Sequence, residues 1–148
     1  MRIGERRDRL DARLEVVAMG RVAESRLLED LRSQNAEESR NAAMVLARTG
    51  SDAALEALRH IVDGAGRPDT RTGGNLRHSA LALGALGDAA DGERLAGALR
   101  RVRRNDFRRA LAYASGRARA RSSVAALARE YATDKQQNFR SAVLIALG

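Results

Sequence analysis

Apolar residues recur along this chain at spacings of three and four, in short bursts closed by glycine or a small polar residue. Ala42, Ala43, Leu46 and Ala47 fall on one face of a helix, and Gly50 closes it in the left-handed conformation open to glycine. Ser51 or Asp52 is placed to cap the next helix, whose apolar stripe is Leu55, Leu58, Ile61 and Val62. The design repeats as Leu81 to Leu86, a stop at Gly87, a cap at Asp88, then Leu95, Ala98, Leu99 and Val102. Ser122 is expected to cap a further helix presenting Val124, Leu127, Ala128 and Tyr131. An earlier pair of helices is expected at about 5–19 and 22–32.

These pairs are copies of one unit. Five segments share an Arg, an Ala two or three residues later, and an apolar run ending on Gly; they begin at Arg9, Arg40, Arg77, Arg108 and Arg140. The steps between these arginines are 31, 37, 31 and 32 residues. Repetition at that period, with short hinges between helices, predicts stacked helix pairs. The expectation is one all-α domain, a right-handed α-solenoid, with units at about 5–33, 36–63, 75–102, 105–133 and 136–148. The 37-residue step holds an insertion at 64–75, where four Gly and one Pro argue for a loop.

The pattern resembles the HEAT-like repeat family, in the short bacterial form seen in chromophore-lyase subunits. Arg77-His-Ser-Ala-Leu-Ala-Leu-Gly-Ala-Leu-Gly-Asp88 carries the resemblance best, and Arg140 to Gly148 next. The ankyrin signature Thr-Pro-Leu-His is missing. The resemblance implies that second helices line a concave surface, and that each recurrent Arg pairs with an acid or carbonyl of the adjacent unit. It also admits a chromophore-lyase-like role, with no residue here to support one.

Composition narrows the chemistry. The 148 residues include no Cys, no Trp and two His, which removes thiolate metal sites, disulfides and cysteine nucleophiles. His60 and His78 have no ligand-type partner at helical spacing, so no metal and no cofactor are expected. Glu37-Glu38 and the Asp88/Asp91 pair fall in first helical turns, where the macrodipole accounts for acids. Gly64-Ala-Gly66 and Gly73-Gly74 lack the Lys-Ser/Thr of a phosphate loop, and Ser122 and Ser123 have no histidine base nearby. A non-enzyme is expected. There is no apolar run of membrane-spanning length and no signal-like segment in Met1 to Asp8, so the expected location is the cytoplasm, away from membrane.

Charge supplies the remaining clue. The net charge is +8, and lysine occurs once, at Lys135. Residues 94–121 hold ten Arg against one acid, Asp106, for +9, whereas residues 1–93 net −2. Arg100, Arg101, Arg103, Arg104, Arg108 and Arg109 flank one connection between units, and Arg67 and Arg71 the preceding connection of that kind, so together they should form a basic rim. Arg94 and Arg101 should share an exposed helix face with Gly97. This predicts a scaffold that recognises an acidic protein partner, with nucleic-acid backbone as the alternative. Tyr113, Tyr131, Phe107 and Phe139 fall on apolar faces and read as core, which leaves no stacking platform and no aromatic cleft of the kind used by HEAT-like DNA glycosylases. Within 136–148, Val143, Leu144, Ile145 and Leu147 cannot all face inward, so self-association through this helix is also expected.

Overall fold

The structure, a computed structural model, describes residues 21–66, 73–118 and 121–148. The helix expected at 5–19, and Arg67 and Arg71 with it, lie outside the described residues. Among those residues all regular structure is helical: α1 (Arg21–Leu31), α2 (Ala36–Thr49), α3 (Asp52–Asp63), α4 (Gly73–Leu86), α5 (Ala89–Leu99), α6 (Asn105–Arg117), α7 (Arg121–Thr133) and α8 (Gln137–Leu147).

The helix ends follow local chemistry. Gly50 sits at φ 62° and donates its N–H to Leu46 O, closing α2. Ser51 Oγ accepts from the Ala54 amide to start α3. Asp88 and Asp91 form a reciprocal capping box at the start of α5. Ser122 differs from expectation: α7 opens at Arg121, so Ser122 stands inside the first turn rather than before it. The insertion is also shorter than its glycines suggest, because Gly73, Gly74 and Asn75 belong to α4. Asn75 is buried and its Nδ2 donates to Leu31 O at 2.8 Å and Ser33 O at 3.3 Å. Two such bonds, about 1 kcal/mol each, offset helical glycine's roughly 1 kcal/mol deficit.

The helices alternate between two rows. In one row α2 touches α4, α4 touches α6 and α6 touches α8; in the other, α1, α3, α5 and α7 follow each other more loosely. In that row α1, α3 and α5 each pack mainly on the helix that follows in sequence, while α7 divides its contacts between α5 and α8. Between the rows lies a core of Leu46, Leu58, Val62, Leu83, Leu95, Leu99, Leu111, Leu127, Phe139 and Val143, all at or near zero exposure. The predicted stripes of α3 and α5 therefore face inward. That of α7 does so only in part, since Val124 is 50% exposed and Ala128 is also exposed while Leu127 is buried.

The tight row owes its spacing to absent side chains. A Cβ on Gly84 would stand 2.5 Å from Ala114 O and 2.8 Å from Ala114 Cβ. A Cβ on Gly116 would stand 2.3 Å from Ala146 O and 2.7 Å from Ala146 Cβ. Both residues of the pair advance by 32, so α4–α6 and α6–α8 repeat one contact. Among the described residues no helix is long and apolar enough to cross a membrane.

Helix propensity and packing pull in opposite directions at these glycines. Gly84→Ala should destabilise the protein although alanine is the better helix former by about 1 kcal/mol. Gly97→Ala, where the added carbon meets nothing nearer than Arg101 Nη1 at 3.9 Å, should stabilise by a few tenths to about 1 kcal/mol. Urea titration of both variants checks the sign of each change; a neutral or stabilising Gly84→Ala would refute the close backbone approach.

Candidate functional site

The segment richest in arginine divides into groups that serve the fold and groups that do not. Arg94 pairs with Asp63 at the end of α3 and lies 3.7 Å from Asp91. Arg101 Nε donates to Ala65 O at 3.1 Å and its Nη2 to Val62 O at 3.4 Å, the latter already accepting from the Ala65 amide, so the arginine fastens the turn where α3 ends. Gly66, at φ 85°, presses against this arginine's backbone: a Cβ there would stand 2.5 Å from Arg101 O. Arg104 chelates Asp106 and stacks 4.3 Å from the Phe107 ring centre. Arg108 is 16% exposed, pairs with Glu130 at 2.9 Å and with Asp134, and lies 4.2 Å over Phe139. Arg100, Arg103 and Arg109 are exposed and make no ion pair with any described residue. The rim expected of six neighbouring arginines thus reduces to these three, because the other cations have carboxylates or carbonyls within reach.

Charge pairing one unit apart also involves arginines outside the recurrent series. Asp91 is 1% exposed, caps its own helix and receives Arg59 through two parallel bonds, Nε at 2.7 Å and Nη2 at 2.8 Å. The Arg59 fork, outweighing burial, holds the Asp91 carboxyl below the usual carboxylate range. Arg59 with Asp91 and Asp63 with Arg94 are 32 and 31 residues apart, so opposite charges separated by one period were the available signal. The macrodipole explains Asp91 only in part; its main partner is a side chain of the preceding unit.

The recurrent arginine is also realised differently. Arg40 and Arg77 are the fifth residues of α2 and α4, and the fifth residue of α6 is Arg109. The 32-residue step fixed by Gly84 and Gly116 likewise carries Arg77 to Arg109, not to Arg108. Arg108 and Arg140 form their own series, stacking on Phe139 and Tyr131 at 4.2 and 4.3 Å. Of the five arginines expected to form a ladder, Arg108 meets carboxylates; Arg40 and Arg77 are exposed and make no described ion pair, and Arg9 lies outside the described residues.

Arg40, Arg77 and Arg109 line two adjoining hollows of about 420 and 440 Å³ that share Arg77 and Leu81. Their walls come only from α2, α4, α6 and α8, so the groove runs across the tight row on the side away from the other helices. Tyr113, expected in the core, is 39% exposed and lines this groove, and Met44 is 36% exposed beside Arg48. Helical spacing put Tyr113 on an apolar face, but that face is one the neighbouring helices leave open. His78 is held below its usual pKa by burial and then by the positive charges of Arg77 and Arg40. No family model matches the chain, and no curated protein or solved structure matches it significantly.

Arg101→Glu should cost about 1–2 kcal/mol by freeing the Ala65 carbonyl and setting a carboxylate beside it, whereas Arg100→Glu should stay within about 0.5 kcal/mol of the parent. Denaturant midpoints distinguish the two. For Asp91, the depressed carboxyl contributes stability that is fully present above its unfolded value of about 3.9 and fades as pH falls through its lower folded value. Asp91→Asn should be less stable at neutral pH and lose less on acidification below about pH 4; parallel acid curves for parent and variant would refute the assignment.

Proposed function

We propose that this chain is a non-catalytic scaffold, a right-handed α-solenoid of HEAT-like units, that recognises an acidic protein partner. The observation that carries the reading is that Arg100, Arg103 and Arg109 are exposed without a described ion pair, as are Arg117 and Arg121 of the same segment, whereas Arg94, Arg101, Arg104 and Arg108 are engaged. Cations left in water beside satisfied ones raise the local potential and steer anions toward the surface. The closer spacing of the α2–α4–α6–α8 row supports a curved array with that row on its shorter, concave arc. This departs from the family-like expectation that α5, with Arg94 and Arg101, lines the hollow side. The perturbed carboxyl of Asp91 is accounted for by a structural partner, which supports a role without catalysis.

The test measures binding of a labelled acidic peptide and a labelled single-stranded oligonucleotide of equal charge at rising salt. The expected result is preference for the peptide, with at least about threefold weakening in Arg100→Glu/Arg103→Glu. Stronger oligonucleotide binding that is independent of base sequence and falls steeply with salt would favour the phosphate-binding alternative.

Self-association through α8 is a second reading, favoured by one observation. Leu144 is 54% exposed and Ile145 67%, and Val124, 50% exposed, lines one hollow with Ile145 and Leu147. Light scattering across a concentration range should show a rising mass that Leu144→Glu abolishes; a constant monomer mass for both proteins would refute this reading.

A further inference from the structure

Two series of side chains cross the tight row in parallel. One is basic: Arg40, Arg77 and Arg109. The other, one helical turn further along, is apolar: Met44, Leu81, Tyr113 and Ile145, separated by 37, 32 and 32 residues as the units are. Residues four apart on a helix lie on the same face, so on α2, α4 and α6 a cation sits beside an apolar group. Arg48 repeats the arrangement one turn beyond Met44, which leaves the apolar series with positive charge on both sides at α2. The one carboxylate lining these hollows, Asp106, is already chelated by Arg104 at 2.9 and 3.2 Å. The groove therefore offers unneutralised cations and half-exposed apolar surface in alternation along its walls.

We propose that this groove docks an extended acidic peptide segment carrying an apolar side chain at every third position. The proposal rests on the acidic-partner reading above and deepens it. Packed helices stand about 8–10 Å apart. A chain in polyproline II geometry returns to the same side every three residues, a rise of about 9 Å. Apolar side chains at that interval meet Met44, Leu81, Tyr113 and Ile145 in turn, and acids between them face the arginines. A second copy of this chain is a poor occupant, because two such grooves would set arginine against arginine. A nucleic-acid strand would meet the arginines but leave the apolar series uncovered, with Tyr113 as the single ring available for stacking.

The test uses fluorescence anisotropy with three labelled probes: a peptide of five Leu-Glu-Pro triads, a peptide of the same composition with its leucines contiguous, and an oligothymidylate of similar charge. Variants are Arg77→Glu/Arg109→Glu, Tyr113→Ser and Arg100→Glu/Arg103→Glu, each first shown by circular dichroism and urea titration to keep the parental fold. Should the double groove reversal disturb folding, Arg77→Ser/Arg109→Ser replaces it. The expected result is tightest binding of the triad peptide, weakened about tenfold or more by the groove reversal and severalfold by Tyr113→Ser, with the Arg100/Arg103 reversal weakening it only about threefold. If that reversal is the damaging one, the acidic-partner reading stands and the groove proposal falls. If Tyr113→Ser is silent, or the contiguous-leucine peptide binds equally, the apolar series is not read and the proposal is overturned. Preference for the oligothymidylate overturns both readings.

Discussion

Everything in this molecule depends on how closely two helix backbones can approach where Gly84 meets Ala114 and Gly116 meets Ala146. With no side chain in the seam, α4, α6 and α8 pack at backbone contact, and the larger leucines turn inward between the rows. The same contact leaves a shallow trough on the outer side of the row, since a helix surface pulled close to its neighbour exposes the residues on its flank. Small residues in the seam and large residues in the groove are thus two results of one geometry.

The arginines sort by what that packing brings within their reach. Where adjacent units present a carboxylate or the open end of a helix, as Asp91, Glu130 and the last turn of α3 do, the cation becomes part of the fold. Where no described carboxylate pairs with the cation, as at Arg77, Arg100 and Arg109, the charge is left to the solvent and to whatever approaches through it. A high density of arginine in the sequence therefore overstates the charge available to a partner. The distinction turns on contacts between groups 22 to 39 residues apart, which composition alone does not contain.

Periodic features were the legible ones. The stripes of α3 and α5, the stop at Gly50 and the caps at Ser51 and Asp88 follow from local chemistry within a single helix turn, and the structure has them where the pattern puts them. The site was harder. Arg108 has an Ala two residues on and Arg109 an Ala three residues on, so a motif that allows either spacing fits both; the Gly84–Gly116 step distinguishes them. Tyr113 lies on an apolar face that no described helix covers, and periodicity does not say which apolar faces acquire a neighbour. Asp91 satisfied a local rule and so concealed its partner across the unit boundary.

The insertion between α3 and α4 is held from both sides by groups that belong to other units. Before it, Gly66 is wedged against the backbone of Arg101; after it, Asn75 is tied to the carbonyls of Leu31 and Ser33. Its two ends are thus set by the folded array rather than by the chain that joins them. For a segment whose ends are already positioned, each doubling in length adds only about 0.6 kcal/mol of closure entropy. The register of the helices on either side is therefore anchored at Gly66 and Asn75, independently of the length of the connection between them.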